Sequence, residues 1–237
     1  MKIEVIILAG GIGSRMHAKQ PKQFIEVNRV PIIVRTIENF QKNERVSGIT
    51  IVCVKDYISK LKKLVSKFNL TKVDNIVEGG ATGHDSTRNG VFSLKDKLDK
   101  SDYVIVHDAV RPLLPQKVLN EMIDTALING NACLAVPCYE TVVLTSDGKK
   151  GNKEIDRNSF MRVQTPQMYN YELINSLYEK AEKDNLHNFV YANTLAIYYD
   201  TTIYFSTGFN FNYKITTKDD LPLYKSLLKY SEEELSR

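Results

Sequence analysis

Val5-Ile-Ile-Leu-Ala9-Gly10-Gly11-Ile-Gly13-Ser-Arg15-Met16-His-Ala-Lys19-Gln-Pro21-Lys22-Gln-Phe24 begins as a buried strand and ends in a set of cations. The run from Val5 to Ala9 is apolar at every position, which suits a strand covered on both faces. It empties into a loop carrying Gly10, Gly11 and Gly13. Glycine lets backbone N–H groups turn toward an anion and approach it closely. Arg15, Lys19 and Lys22 follow shortly after. Backbone donors with converging cations suit a polyphosphate, so the stretch reads as a grip for a nucleoside triphosphate.

Two other phosphate loops fit less well. A dinucleotide loop wants G-x-G-x-x-G opening a helix. Here Met16 stands where the third glycine belongs, and Pro21 breaks any helix soon after. The Gly-Lys-Ser/Thr of a P-loop is missing as well. A plain glycine turn is the bland alternative, and Lys22 inside Gln20-Pro21-Lys22-Gln23-Phe24 weighs against it.

Strand-like runs recur at 4–9, 48–54, 73–77, 103–107, 132–136 and 201–205. Helical periodicity fills the intervals at 31–41, 58–68, 85–98, 115–128 and 171–184, with Pro31 and Pro115 suited to first turns. Apolar strands alternating with helices predict a Rossmann-like α/β fold, a mostly parallel sheet with helices on both faces. Ligands of such sheets bind beyond the carboxyl ends of the strands, where the glycine loop and His107-Asp108 fall. Residues 138–163 break the pattern and read as a hairpin with a polar tip, which should pack against something.

The net charge of +4 comes from scattered lysines, so nucleic-acid binding is not expected, whereas a local field over an anionic substrate is. Cys53, Cys133 and Cys138 lack C-x-x-C spacing and read as reduced thiols, and the four histidines lack zinc-ligand spacing. No apolar run approaches the roughly 18 residues of a membrane span. Lys2-Ile-Glu-Val opens straight into a strand without a signal-peptide pattern, so the expected location is cytoplasmic and no membrane partner is expected.

The glycine loop with Pro21-Lys22-Gln23-Phe24 resembles the opening of the CTP-dependent cytidylyltransferases of small polyol phosphates. That family includes 2-C-methyl-D-erythritol 4-phosphate and ribitol-5-phosphate cytidylyltransferases. Gly79-Gly80 with Asp85-Ser86, then Val106-His-Asp-Ala-Val-Arg-Pro112, Gln164-Thr-Pro-Gln167 and Asn212-Tyr-Lys-Ile-Thr-Thr217 match in order, across nearly the whole chain. The resemblance implies a single nucleotidyltransferase domain over 1–237, joining CMP from CTP to a polyol phosphate with Mg²⁺. Arg15, Lys22 and Lys214 would be the catalytic cations. Ala9, Gly10, Gly11, Gly13, Gly80, Ser86, Asp108 and Ala109 would bind the nucleotide, with Asp108 on the metal. Thr141, Arg157 and Thr165 would hold the acceptor. Arg111 would either join them or form a structural ion pair.

The resemblance further implies that the hairpin at 138–163 is an arm making a homodimer. Val190-Tyr191 replace a Thr-Asp pair that bonds acceptor hydroxyls in the family, leaving Asn193 or Thr194 as stand-ins. Gly83 replaces an arginine. Gly10-Gly11 leans toward the ribitol-5-phosphate branch, so D-ribitol 5-phosphate leads as acceptor, with 2-C-methyl-D-erythritol 4-phosphate second. A catalytically silent nucleotide-binding homologue is the rival from another class.

Overall fold

The computed structural model describes residues 1–11, 20–230 and 234. Its centre is strand β1 (Ile3–Ala9), buried almost end to end because sheet neighbours flank it and helices cover it above and below. Beside it lie β4 (Gly48–Cys53) and β6 (Tyr103–Asp108), and beyond β4 lies β5 (Val73–Glu78). On the other side follow β10 (Met161–Asn170), β7 (Asn131–Pro137) and the edge strand β11 (Phe205–Thr207). The seven-stranded sheet runs β11-β7-β10-β6-β1-β4-β5. Only β10 is antiparallel to its neighbours.

Alternate side chains of β1 enter two different cores. Val5 and Ile7 pack with Ile33, Ile37 and Phe40 of α1 (Ile32–Gln41), Leu61 of α2 (Ile58–Lys67) and Met122 of α4 (Gln116–Asn129). Ile6 faces the opposite layer, built from Val91 of α3 (Gly83–Phe92), Ile174 and Tyr178 of α5 (Tyr171–Lys183) and Leu195 of α6 (Ala192–Tyr198). The period-two alternation of a strand thus distributes one apolar run between two helical layers. A short hairpin, β2 (Glu26–Val27) and β3 (Val30–Pro31), precedes α1, and α7 (Asp220–Leu227) closes a third, smaller cluster through Tyr224.

Several boundaries differ from the sequence reading. Pro31 and Pro115 occupy N-cap positions rather than first turns. Helix α3 starts at Gly83, two residues before the expected Asp85, because Thr82 caps it. The Thr82 hydroxyl accepts the Asp85 N–H at 3.0 Å, and the Asp85 carboxylate accepts the Thr82 N–H at 3.1 Å. This reciprocal box satisfies two backbone N–H groups at the start of the helix. Strand β11 covers 205–207 instead of 201–205, and β10 was not expected at all.

Residues 138–163 do contain a hairpin. Strands β8 (Val142–Leu144) and β9 (Lys153–Ile155) pair antiparallel, with Val142 opposite Ile155. At its tip the Thr145 hydroxyl accepts the Gly148 N–H at 2.9 Å, and Gly148 takes the left-handed φ of 68° that favours glycine. Val143, Leu144, Phe160 and Met161 remain exposed on and beside it.

Candidate active site

Strands β1, β4, β5 and β6 point the same way, and each ends at one cavity. Its volume is about 550 Å³, and residues just past those four strand ends line it: Gly10, Lys55, Gly80 and Ala109 among them. The first layer is backbone. A side-chain carbon on Gly10 would come to 2.8 Å from Ser86 Oγ, and one on Gly80 would run into Asp85. Only glycine permits these two loops to lie so close to α3. Among the described residues nothing lies within 4 Å of where a side-chain carbon on Gly11 would sit. Ser86 accepts the Gly80 N–H at 3.1 Å and so ties the second loop to the helix.

The first loop is held from below by a residue the sequence reading passed over. Gln23 donates to the carbonyls of Ala9 at 2.7 Å and Gly11 at 3.0 Å, which leaves the loop's N–H groups pointing elsewhere. Lys22, beside it, is largely buried and donates to the Ile215 carbonyl at 2.9 Å. That bond joins the start of the site to the segment carrying Lys214, far along the chain. Arg15 and Gly13 lie outside the described residues.

The opposite wall is electrostatic. Asp108, at the end of β6, holds Lys214 Nζ on one oxygen and Arg111 Nε on the other, each at 3.0 Å. Burial alone would raise its carboxyl, but Lys214 and Arg111 overcome that and hold it down at about 2. Lys214 answers in kind: burial lowers it, Asp108 and Tyr191 raise it more, and it stays fully charged. His107 donates from Nε2 to the Arg111 carbonyl at 3.0 Å, since a carbonyl can only accept. Complete burial depresses that imidazole to about 4, so it is neutral and holds the turn.

Lys22, Lys214, Ala9, Gly10, Gly11, Gly80, Ser86, Asp108 and Ala109 all line the cavity. Arg111 does not. It is buried, with its second bond going to the Asn212 carbonyl at 2.8 Å, the geometry of the structural ion pair. Thr165 does not line it either, and its hydroxyl accepts the Asp108 N–H at 3.1 Å. Thr141 and Arg157 sit on the exposed hairpin segment, where Arg157 donates to the Tyr139 carbonyl at 2.9 Å.

The proposed stand-ins at 193 and 194 point away. Asn193 is buried, and the Thr194 hydroxyl donates to the Tyr191 carbonyl at 2.7 Å to close the start of α6. Val190 and Tyr191 themselves line the cavity, as do Lys55 and Glu78, which pair at 3.4 Å on the rim. Val190-Tyr191 were marked in the sequence only as a departure from the family's Thr-Asp pair, and Lys55 and Glu78, a charged pair at a rim, carry no periodic signal and were not marked.

Among the described residues no three His, Cys, Asp or Glu side chains form a metal cage. Asp108 is the one cavity carboxylate beside the cations, since Glu78 is turned to Lys55. A single hard carboxylate fits Mg²⁺ that keeps water and takes its other oxygens from ligand phosphates.

The fold and this cavity define a nucleotide-binding α/β class of enzyme, with a cleft at the carboxyl ends of the parallel strands that carries Lys22, Lys214 and Asp108. Residues 3–230 match the IspD family, 2-C-methyl-D-erythritol 4-phosphate cytidylyltransferase. The chain belongs to this family, and it is a cytidylyltransferase, a nucleotidyltransferase by class. It is 37% identical to a ribitol-5-phosphate cytidylyltransferase of Lacticaseibacillus paracasei, over 97% of this chain and 99% of that one. A 2-C-methyl-D-erythritol 4-phosphate cytidylyltransferase of Clostridium novyi is 33% identical, over 94% and 95%. A solved 4-diphosphocytidyl-2C-methyl-D-erythritol synthase from Anaerococcus prevotii superposes with a TM-score of 0.81 at 25% identity, over 97% of this chain and 96% of that one.

Proposed function

We propose that the enzyme transfers CMP from CTP to D-ribitol 5-phosphate and releases pyrophosphate. The carrying observation is that Lys22, Lys214 and Asp108 line one cavity together with the two glycine loops. In this reaction an acceptor phosphate oxygen bonds to the α-phosphorus while the bond from that phosphorus to the bridging oxygen breaks, and pyrophosphate carries the charge away. Two anions must approach each other, so positioning and fixed positive charge do most of the work. Lys22 is a compact charge for the oxygens of the α-phosphorus, and Lys214 meets the incoming phosphate. Arg15, with its planar fork, braces the leaving phosphates. Asp108 would hold Mg²⁺, which when bound offsets charge on the triphosphate.

The acceptor reading rests on the relatives. Four ribitol-5-phosphate cytidylyltransferases match at 36–37% and a fifth at 32%, whereas the 2-C-methyl-D-erythritol 4-phosphate enzymes match at 30–34%. A silent homologue is disfavoured because Lys22, Asp108 and Lys214 are retained on one cavity. The acceptor side is completed by a second copy of the chain, whose hairpin supplies Thr141 and Arg157. The test is pyrophosphate release with CTP across polyol phosphates. Ribitol 5-phosphate should give the highest kcat/KM. A preference for methylerythritol phosphate would overturn the acceptor, and inactivity with every polyol phosphate would overturn the reaction.

A further inference from the structure

Lys214 is gripped from three directions. Asp108 takes its ammonium at 3.0 Å, the Tyr191 hydroxyl stands at 3.4 Å, and the Tyr191 ring centroid lies 5.4 Å from the same nitrogen. Tyr191 is itself fixed. Its N–H reaches the Thr194 hydroxyl at 3.3 Å, and the adjoining helix is anchored where the Asn193 N–H meets Gln167 Oε1 at 3.2 Å on β10. Half-buried on the cavity wall, the ring therefore offers a fixed polar tip and a π-face to a mobile cation.

We propose that Tyr191 is a positioning residue that holds Lys214 where the phosphates meet. An ammonium on a four-carbon stem has many rotamers, and a site built on charge placement cannot leave it to find its own position. A triphosphate or divalent ion held at Asp108 would compete with Lys214 for that carboxylate. The ring face and phenol oxygen then keep the lysine on the cavity side, while Asp108 remains its anchor in the free enzyme. Tyr191 thus acts through Lys214 rather than on the polyol. This rests on Lys214 being the cation that meets the incoming phosphate.

The test uses Tyr191→Phe, which keeps the ring face, and Tyr191→Leu, which removes both contacts. Each is assayed with CTP and ribitol 5-phosphate, with Tm as a check on folding. The Leu variant should lose about three- to thirty-fold in kcat, the range of a partly desolvated cation–π contact. Both KM values should stay within about twofold, and Phe should recover much of the loss. An acceptor KM that rises more than kcat falls would mean that Tyr191 reads the acceptor directly and would overturn the proposal. Wild-type kinetics in the Leu variant would overturn it too. Lys214→Gln, assayed alongside, separates the two levels. If it is impaired while Tyr191→Leu is normal, only the positioning role is lost. If it is fully active, the assignment of Lys214 itself fails.

Discussion

At the scale of single residues, the site depends on charges held before the substrate arrives. Lys22 is nearly buried and already anchored to the Ile215 carbonyl, so its ammonium needs little reorganisation to meet a phosphate. Lys22→Ala should lower kcat by about 10²–10³, the usual loss for one preorganised transition-state contact. Stopped assays on a variant with an unchanged circular dichroism spectrum will measure it, and a near-normal kcat would remove Lys22 from the reaction. His107 makes a separate prediction about stability. As the pH falls below about 6.5, an unfolded imidazole takes up a proton, whereas the buried His107 resists until about 4. The unfolded state binds more protons across that window, so stability rises with pH and is lost on acidification. Asp108, held at about 2, keeps its charge in the folded state, and its own contribution starts to be lost only near pH 4, where the unfolded carboxyl takes up a proton. Tm should decline from pH 6.5 to 4, and His107→Gln should flatten the decline. Asp108 was legible as an acid at a strand mouth and Lys22 as a cation following the glycine loop, whereas Lys214 was marked only by the family resemblance. Tyr191 was marked only as a departure from the family's Thr-Asp pair, and neither its contact with Lys214 nor the bonds of Gln23 were legible, since both exist only in the folded chain.

At the scale of elements, Gln164-Thr165-Pro166-Gln167 explains both a missed strand and the placement of Lys214. Two amides, a hydroxyl and a proline without an N–H do not read as a central strand. Yet β10 runs through them, with an irregular register between Val163 and Gln167. Each polar group is satisfied by a neighbouring segment. Gln164 donates to the Phe209 carbonyl at 2.9 Å and accepts the Phe209 N–H at 3.2 Å. Asn212 donates to the Thr165 carbonyl at 2.8 Å, and the Ile215 N–H to Val110 at 3.0 Å. The strand is polar because it clamps the loop of residues 209–216 against β6. The parallel strands, by contrast, were legible from apolar runs alone, because two helical layers bury them. Gln164→Ala should leave the Phe209 backbone groups unsatisfied and cost about 1–3 kcal/mol. Tm should fall by several degrees and kcat should drop as Lys214 loses its register. A variant with unchanged Tm and kcat would show that the loop is held without the clamp.

At the scale of the whole molecule, the hairpin is the part that a single chain does not account for. Strands β8 and β9 bury little, and Val143, Leu144, Phe160 and Met161 keep apolar surface in water. An isolated two-stranded ribbon is marginal by itself, and exposed apolar patches of this kind mark association surfaces. The hairpin could be read from sequence because its turn residues and alternation are local. A second copy of the chain as its partner was implied only by the family resemblance, because an association surface leaves no local pattern in one sequence. Within the described residues, Thr141 and Arg157 stay off their own chain's cavity. A twofold dimer would carry each arm to the other subunit's site by the same contact used twice. Mixing an Arg157→Ala chain with a Lys22→Ala chain tests this arrangement. In the mixed dimer one site receives intact Lys22 from one subunit and intact Arg157 from the other, while the second site receives both lesions. With free exchange, half the dimers are mixed and half of their sites intact, so activity should recover to about a quarter of the wild-type level. Native mass spectrometry can confirm that exchange occurred. Exchange without recovery would show that each chain completes its own site.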